Sequence, residues 1–174
     1  MTITRTWDDG PVGEIFGTTK GSAAWLKASG AAADAVDPRS PCPCGGTTAG
    51  AAIGECCGPV IEGERRPATA EELMRSRYTA YALADGEHLY RTWHPRTRPP
   101  SVEPEPWVRW VRLEVVDVVD GGPHDSTGVV EFRASWVAGE GRTLQRGELH
   151  ERSRFERRAG RWLYTGPDTA VTGS

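Results

Sequence analysis

The chain has 174 residues and a formal net charge of −3, a length that suits one domain with a sizeable core and a small additional module. Its 21 basic residues against 24 acidic ones leave none of the basic excess expected of a protein held by nucleic-acid phosphates or by a membrane surface. No stretch approaches the roughly 20 apolar residues of a membrane-spanning helix, and no secretory signal is visible, so the sequence predicts a cytoplasmic protein without a membrane partner.

Residues 1–40 differ in composition from the rest of the chain, because Gly, Ala, Thr and Asp are mixed there with isolated aromatic residues. We predict a leader that is largely disordered or lies outside the native domain. The alternative is a partner-binding arm around Trp25 and Leu26. Residues 169–174 are predicted to be a short tail.

All four cysteines fall within sixteen positions, as Cys42, Cys44, Cys56 and Cys57. A reducing compartment favours thiolates over disulfides, and zinc prefers four ligands in a tetrahedron. A disulfide between the adjacent pair Cys56 and Cys57 would be strained, whereas a bridge from Cys42 or Cys44 to either of them is the alternative in an oxidising compartment. The cysteines therefore predict one structural zinc in a knuckle over residues 41–66, with no open position for a substrate.

A helix is predicted from residue 70 onwards, because Thr69 followed by Glu72 is a capping box. It continues to about Ala84, where Asp85-Gly86 ends it. Apolar residues recur at helical spacing within it at Met74, Tyr78 and Tyr81. A second short helix is predicted from His88 to Trp93.

From Trp107 onward the hydrophobic period becomes two, which predicts four strands separated by glycine-containing turns. Val111, Leu113 and Val115 are predicted to share one face of the first strand, and Val130, Phe132, Ala134 and Trp136 one face of the second. Leu149, Ser153 and Phe155 fit the third strand, and Trp162 with Tyr164 the fourth. Helices followed by an antiparallel meander predict an α+β domain over residues 67–168, with its helices on one sheet face.

The stretch Pro41-Cys-Pro-Cys-Gly to Cys56-Cys-Gly-Pro resembles the SEC-C motif, and the continuation resembles the uncharacterised YchJ-like bacterial family. That second resemblance is carried by Leu73-Met-Arg-Ser-Arg-Tyr78, Arg91-Thr-Trp-His-Pro95, His150-Glu-Arg-Ser-Arg-Phe155 and Arg161-Trp-Leu-Tyr164. It implies a cone-shaped domain similar to nuclear transport factor two, also called cystatin-like. In it a curved antiparallel sheet wraps the N-terminal helices around a pocket, behind the small zinc knuckle. The knuckle departs from the motif in a longer loop after Cys44 and in Ile53, where an aromatic residue usually stands.

The pocket of such a domain is predicted to be lined by Arg77, Tyr78, Tyr81, Trp93, His94, Trp136, Glu151 and Ser153. Two of these are candidate catalytic residues. His94 can serve as a general acid or base near neutral pH, or can simply cap a helix end. Glu151 shares a predicted inward strand face with Leu149 and Phe155, and a buried glutamate needs a partner or a raised pKa. Its predicted partner is His94 or Arg77, and the alternative is a structural ion pair.

Because no recognisable catalytic set is present, the sequence favours a non-enzymatic binding or adaptor protein. Its zinc would be structural, and its pocket would hold a small ligand or a partner segment. The alternative is an acid–base enzyme of the isomerase or dehydratase type, which similar folds host. A third hypothesis is RNA or ribosome binding through Arg152, Arg154, Arg157, Arg158 and Arg161. Domains similar to nuclear transport factor two often pair through the sheet, so a homodimer is also considered.

Overall fold

The computed structural model describes residues 36–139 and 141–168, so most of the predicted leader and the tail lie outside the described residues. The helices are α1 (Gly58–Ile61), α2 (Ala70–Ala82) and α3 (Gly86–Arg91), with short 3-10 turns at Ile53–Glu55 and Gly141–Thr143. The strands are β1 (Val108–Asp120), β2 (Thr127–Ala138), β3 (Gln145–Arg158) and β4 (Arg161–Pro167). Within these ranges, no helix combines the length and the apolar character that crossing a membrane requires.

The helix α2 begins where the capping box predicts. The Thr69 side chain accepts a hydrogen bond from the backbone N–H of Glu72 at 3.1 Å, and the Glu72 carboxylate reaches back to the N–H of Ala68 at 2.7 Å. At the other end, Asp85 caps α3 by accepting from the N–H of His88 at 2.9 Å. The second helix therefore starts two residues earlier than predicted, because Asp85 opens α3 as well as closing the turn after α2.

The four strands form one antiparallel sheet in the order β1-β2-β3-β4. Three of the four residues predicted to share a face of β2 are buried, namely Val130, Phe132 and Ala134. On β3 and β4 the buried inward residues are Glu151, Ser153, Phe155, Trp162 and Tyr164. α2 packs on this inner face, so the predicted α+β domain with helices on one side of a meander is confirmed.

The prediction that Val111 shares a face of β1 with Leu113 and Val115 is wrong. Trp110 pairs with Trp136, and Arg112 pairs with Ser135. Val111 is therefore the extra residue of a β-bulge. A bulge reverses the alternation of side chains. Val111 is consequently 49% exposed, while Trp110 turns inward, with its ring centroid 6.1 Å from that of Tyr78 and also 6.1 Å from that of Tyr81.

The cysteine knuckle and the larger domain share one hydrophobic core. The buried cluster joins Cys44, Ile53 and Cys57 of the knuckle to Leu73 of α2 and Trp162 of β4. The predicted boundary between residues 41–66 and 67–168 stays a prediction, but on either side of it the side chains pack against each other. Any ligand that orders the knuckle therefore stabilises the core of the whole protein.

The start of α2 approaches the β1–β2 hairpin closely at two glycines. The N–H of Ala70 donates to the carbonyl of Gly121 at 2.8 Å, and Gly121 has a positive φ of 80°. A Cβ placed on Gly128 would lie 2.5 Å from the Cα of Gly121 and 3.0 Å from the Cβ of Ala70. The backbone itself fills this space, so the hairpin and the helix can meet only without a side chain at residue 128.

We expect Gly128→Ala to lower the free energy of unfolding by about 1–3 kcal/mol, because overpacking against backbone atoms forces the hairpin away from α2. The control is Gly122→Ala in the same hairpin, where the nearest atom to the added Cβ is Asp125 Oδ2 at 3.2 Å, on a flexible side chain. Urea unfolding of both variants measures the difference. Equal midpoints for the two variants would contradict the close approach.

A candidate metal site and an aromatic pocket

The four cysteine sulfurs lie together in a buried cluster. The Sγ–Sγ distances are 3.4 Å between Cys42 and Cys44, 3.6 Å from Cys44 to each of Cys56 and Cys57, and 3.9 Å between the last two. A tetrahedron with metal–sulfur bonds of about 2.3 Å has edges of about 3.8 Å. The cysteines are free thiols, and all four sulfurs lie within 4.8 Å of one another. They could hold one metal ion.

Glycines and a helix start bring the two cysteine pairs together. Gly45 and Gly46 both have positive φ, 79° and 80°, and turn the chain so that the N–H of Gly46 donates to the Cys44 sulfur at 3.3 Å. At the other end Cys57 is the N-cap residue of α1. The backbone therefore turns between the adjacent cysteines, which lets both side chains face the same point.

Two arginines tie the cluster to α2 and its approach. Arg75 donates to the carbonyl of Cys44 at 3.2 Å, and Arg65 to that of Cys56 at 3.4 Å. Each guanidinium also pairs with a glutamate in the first turn of α2. Thr79 of the same helix places its hydroxyl 3.7 Å from the Cys42 sulfur. These outer contacts orient the cysteines, as the surroundings of metal ligands usually do.

The electrostatics of the cluster favour a bound cation. Burial and the charges of Cys44 and Cys42 raise the pKa of Cys56 to about 12. Hydrogen bonding with Cys42 and Cys44, followed by burial, raises the pKa of Cys57, whereas the pKa of Cys42 is lowered by hydrogen bonds with Cys44 and Cys57. Four adjacent thiolates repel one another, so their joint ionisation requires a positive charge at the centre.

A second concave site lies between α2 and the inner face of the sheet. It has an empty volume of about 460 Å³, including its open mouth. Six of the eight predicted pocket residues line it, namely Arg77, Tyr78, Tyr81, Trp93, Glu151 and Ser153. Trp110, Phe132 and Tyr164 also line it and were not predicted from the sequence. The period-two pattern could have identified Phe132 and Tyr164, because each shares a strand face with at least one other apolar residue, whereas the inward position of Trp110 depends on the bulge.

Arg77 provides a buried positive charge on the pocket wall. Its Nη1 donates to the carbonyl of Leu89 and to the hydroxyl of Thr92, each at 2.8 Å. The guanidinium carbon lies 4.6 Å from the ring centroid of Tyr164 and 5.1 Å from that of Trp93. Burial lowers the pKa of Arg77, but an arginine remains charged in proteins, and the aromatic faces stabilise that charge.

Glu151 provides the buried negative group of the same pocket. Its Oε1 accepts hydrogen bonds from the Ser153 hydroxyl at 2.5 Å and from the Tyr164 hydroxyl at 2.9 Å. Burial raises the pKa of Glu151, while these two hydrogen bonds and the charge of Arg77 oppose the rise. The hydrogen-bond partners of this carboxyl group are therefore Ser153 and Tyr164, not the predicted His94 or Arg77.

Two of the predicted pocket residues lie elsewhere. His94 is 2% exposed and serves the loop after α3: its N–H donates to the Tyr164 carbonyl at 2.8 Å, and its Nδ1 accepts from the N–H of Arg96 at 3.2 Å. Trp136 packs over Gly147 of β3, where an added Cβ would lie 2.4 Å from its ring. Hydrogen bonding to the loop and stacking over a glycine hold these side chains away from the cavity.

The outward face of β3 carries paired charges. Arg152 donates to Asp117 at 2.9 Å and to Glu131 at 2.7 Å. The His150 ring lies 2.7 Å from Glu131, and hydrogen bonds from His150 and Arg152 lower the pKa of that carboxyl group. At this part of the predicted arginine stripe the carboxylates neutralise the positive charge, which weakens any attraction for phosphates.

One pair of buried polar side chains, His88 and Ser76, was not predicted from the sequence. The Nε2 of His88 lies 3.0 Å from the Ser76 hydroxyl, and its Nδ1 lies 3.1 Å from the Arg91 guanidinium. A serine beside a histidine suggests a nucleophile and its base, but the two side chains are 0% and 1% exposed, so no substrate reaches them. Burial, with repulsion from Arg91 and Arg77, lowers the pKa of His88 to about 3. The pair is therefore structural.

Residues 69–167 match the family model described as the middle domain of YchJ, similar to nuclear transport factor two. A UPF0225 protein of Streptomyces coelicolor is 46% identical over 127 residues, which cover 73% of this chain and 94% of that protein. A UPF0225 protein of Deinococcus radiodurans is 42% identical over 128 residues, covering 73% and 88%.

Two solved structures of SEC-C motif containing proteins have similar folds. The solution structure from Rhodopseudomonas palustris has a TM-score of 0.60 and 32% identity, covering 74% of this chain and 97% of that one. The crystal structure from Psychrobacter arcticus, at 1.75 Å resolution, has a TM-score of 0.57 and 25% identity, covering 79% and 85%. Both matches extend beyond the length of the middle domain alone.

The buried His88 predicts a specific loss of stability in mild acid. Its folded pKa of about 3 lies below the ordinary value near 6.5, so below pH 6.5 the unfolded chain binds a proton that the folded protein refuses. The free energy of unfolding should fall by about 2 kcal/mol between pH 7 and pH 5 from this group alone. Urea unfolding across that range should show a smaller fall for His88→Gln. The exposed control His124→Gln should behave as the wild type, and an unchanged pH dependence in His88→Gln would contradict the assignment.

Proposed function

The chain belongs to the YchJ-like family, and from that premise we propose that it is a non-enzymatic cytoplasmic protein that binds a small ligand. The ligand occupies the pocket between α2 and the sheet. A structural zinc ion holds the knuckle against the same helix. The knuckle acts as a stabilising element rather than as a detachable docking module, because its cysteines are part of the common core.

The observation that carries this proposal is the composition of the pocket wall. Seven of the twelve lining side chains are aromatic, and two buried charged groups, Arg77 and Glu151, lie among them. A largely apolar concavity with a few converging polar groups is typical of small-molecule sites. The smaller cleft beside the cysteines, in contrast, is flanked by Arg65 and Arg75, both already paired with glutamates.

Zinc is supported by the chemistry of the donor set. Four thiolates at tetrahedral spacing suit an ion without a geometric preference of its own, and they leave no coordination position for water or substrate. Cys42, Cys44, Cys56 and Cys57 would hold the ion, which would cross-link the two ends of the knuckle. A reducing cytoplasm would keep these thiols available for it.

The second candidate function is acid–base catalysis, and Glu151 is the observation in its favour. Its carboxyl group is 7% exposed, and burial raises its pKa towards the range in which a general acid or base works. Tyr164 donates to it, but His94 lies outside the pocket lining. A catalytic role would thus rest on Glu151 alone. Conversion of a bound compound that Glu151→Gln stops would favour the enzyme over the binding protein.

A homodimer is the partner that the surface favours. β1 is an edge of the described sheet, and its exposed side chains include Val111, Val116, Val118 and Val119, each at least 41% exposed. Exposed apolar side chains concentrated on one strand are typical of a contact surface. Native mass spectrometry of the purified chain measures this directly, since a dimer has twice the mass of 18.9 kDa.

The metal proposal predicts one zinc ion per chain in protein purified without added metal, measured by inductively coupled plasma mass spectrometry. Cys57→Ser should lose most of the zinc and several kcal/mol of stability, because it opens the closed ligand set. Ile53→Val is the matched control, since Ile53 is buried in the same knuckle but offers no ligand. It should keep full zinc with a loss of about 1 kcal/mol. Full zinc content in Cys57→Ser, or a different metal in the wild type, would overturn the assignment.

The binding proposal predicts a localised response to small aromatic compounds. In a nitrogen–proton correlation spectrum, a panel of such fragments should shift the indole signals of Trp93 and Trp110, which line the pocket, and leave that of Trp107 unchanged. Ala134→Leu should abolish the shifts by filling the cavity. Ser135→Leu, the neighbouring residue on the other sheet face, should not. If no fragment in the panel shifts the two pocket signals, the binding proposal is wrong.

A further inference from the structure

Arg77 and Glu151 lie on the wall of one pocket with opposite charges and do not pair. Both side chains are buried, at 6% and 7% exposure. The Nη1 of Arg77 donates hydrogen bonds to the Leu89 carbonyl and the Thr92 hydroxyl. The Oε1 of Glu151 accepts hydrogen bonds from the hydroxyl groups of Ser153 and Tyr164. Within the described residues, no ion pair joins Arg77 to Glu151. Each nevertheless influences the pKa of the other, which places them within Coulomb reach.

Hydrogen-bonding capacity is therefore left over at the pocket wall. A carboxylate has a second oxygen and a guanidinium has five N–H groups, and the hydrogen bonds among the described residues use only Oε1 of Glu151 and Nη1 of Arg77. Trp93, another lining residue, has a buried Nε1 without a hydrogen-bond partner in the described part of the chain. Buried groups of this kind are costly unless a ligand or water satisfies them.

The two charges together select against a charged ligand. A carboxylate attracted by Arg77 would be repelled by Glu151, and an ammonium attracted by Glu151 would be repelled by Arg77. A zwitterion would have to lose the hydration of two charges. A neutral ligand that offers an acceptor to Arg77 and a donor to Glu151 satisfies both groups at a lower desolvation cost.

The aromatic residues of the pocket wall favour a particular ligand shape. Tyr78, Trp93, Trp110 and Tyr164 present rings around the space between the two charged groups. Trp93 and Tyr164 stand edge to face, with centroids 4.9 Å apart and an interplanar angle of 81°. Aromatic walls favour flat ligands, which make offset or edge contacts over a large area.

We propose that the pocket binds a small, flat, neutral ring that carries an amide edge, a ring N–H beside a carbonyl group. The N–H donates to Glu151 and the carbonyl oxygen accepts from Arg77, while the ring lies against the aromatic wall. This inference rests on the proposed function and adds to it the chemical class of the ligand.

The test uses 2-pyridone as the probe, titrated into the full chain and followed by the indole signals of Trp93 and Trp110. N-methyl-2-pyridone keeps the ring and the carbonyl group but lacks the N–H, and should bind at least about tenfold more weakly. Benzoate and benzylammonium test the charged alternatives and should also bind about tenfold or more weakly than 2-pyridone. Glu151→Gln removes the repulsion and should strengthen benzoate binding.

Glu151→Met removes the acceptor and should abolish the discrimination between 2-pyridone and its N-methyl derivative, whereas Glu151→Gln retains an acceptor and should preserve it. The proposed ligand class is wrong if 2-pyridone and N-methyl-2-pyridone bind the wild type with equal affinity, or if either charged compound binds more tightly than 2-pyridone. If the signals of Trp93 and Trp110 respond in that case, the small-ligand function still stands. If none of the four compounds moves the signals of Trp93 and Trp110, both proposals fall.

Discussion

The packing of α2 against the knuckle and the sheet positions both candidate sites. One side of this helix meets the cysteine cluster through Thr79 and through Arg75, which bonds the carbonyl of Cys44. Its inner side forms a wall of the pocket with Arg77 and Tyr78. Its first turn lies against two hairpin glycines that leave no room for a side chain. A displacement of α2 would therefore disturb the metal site and the pocket together.

Because the core is shared, metal binding at the cysteines would stabilise the larger domain as well as the knuckle. The cysteine spacing alone does not predict this coupling. A zinc knuckle is often an independent module, but here Cys44 and Cys57 are buried in the same cluster as Leu73 and Trp162. A folded protein is typically only about 5–15 kcal/mol more stable than its unfolded chain, and metal binding would add to that margin. The knuckle and the pocket are best understood as two ends of one folding unit.

Charged side chains are paired on the outer face of the sheet, whereas two of them are buried without pairing on its inner side. On the outer face Arg152 is held by Asp117 and Glu131, so its charge is neutralised where water also screens it. On the inner side, Glu151 of β3 and Arg77 of α2 are buried in the same pocket without pairing. Charges are rarely buried unless they pair or serve a ligand, and this contrast is why the pocket, and not the arginine-rich strand, is the more informative surface.

Features that arise from local spacing could be predicted from the sequence. The clustering of four cysteines, the capping box at Thr69 and the period of two after Trp107 each depend on neighbours along the chain, and all three appear in the structure. Which residues meet across strands could not be predicted in this way, because it follows from the folded arrangement of the strands. A bulge beside Trp110 turns its side chain inward and leaves Val111 exposed. The pairing of β4 with β3 makes Tyr164 a hydrogen-bond partner of Glu151. Strand register and bulges arise from contacts between distant segments, which local periodicity does not specify.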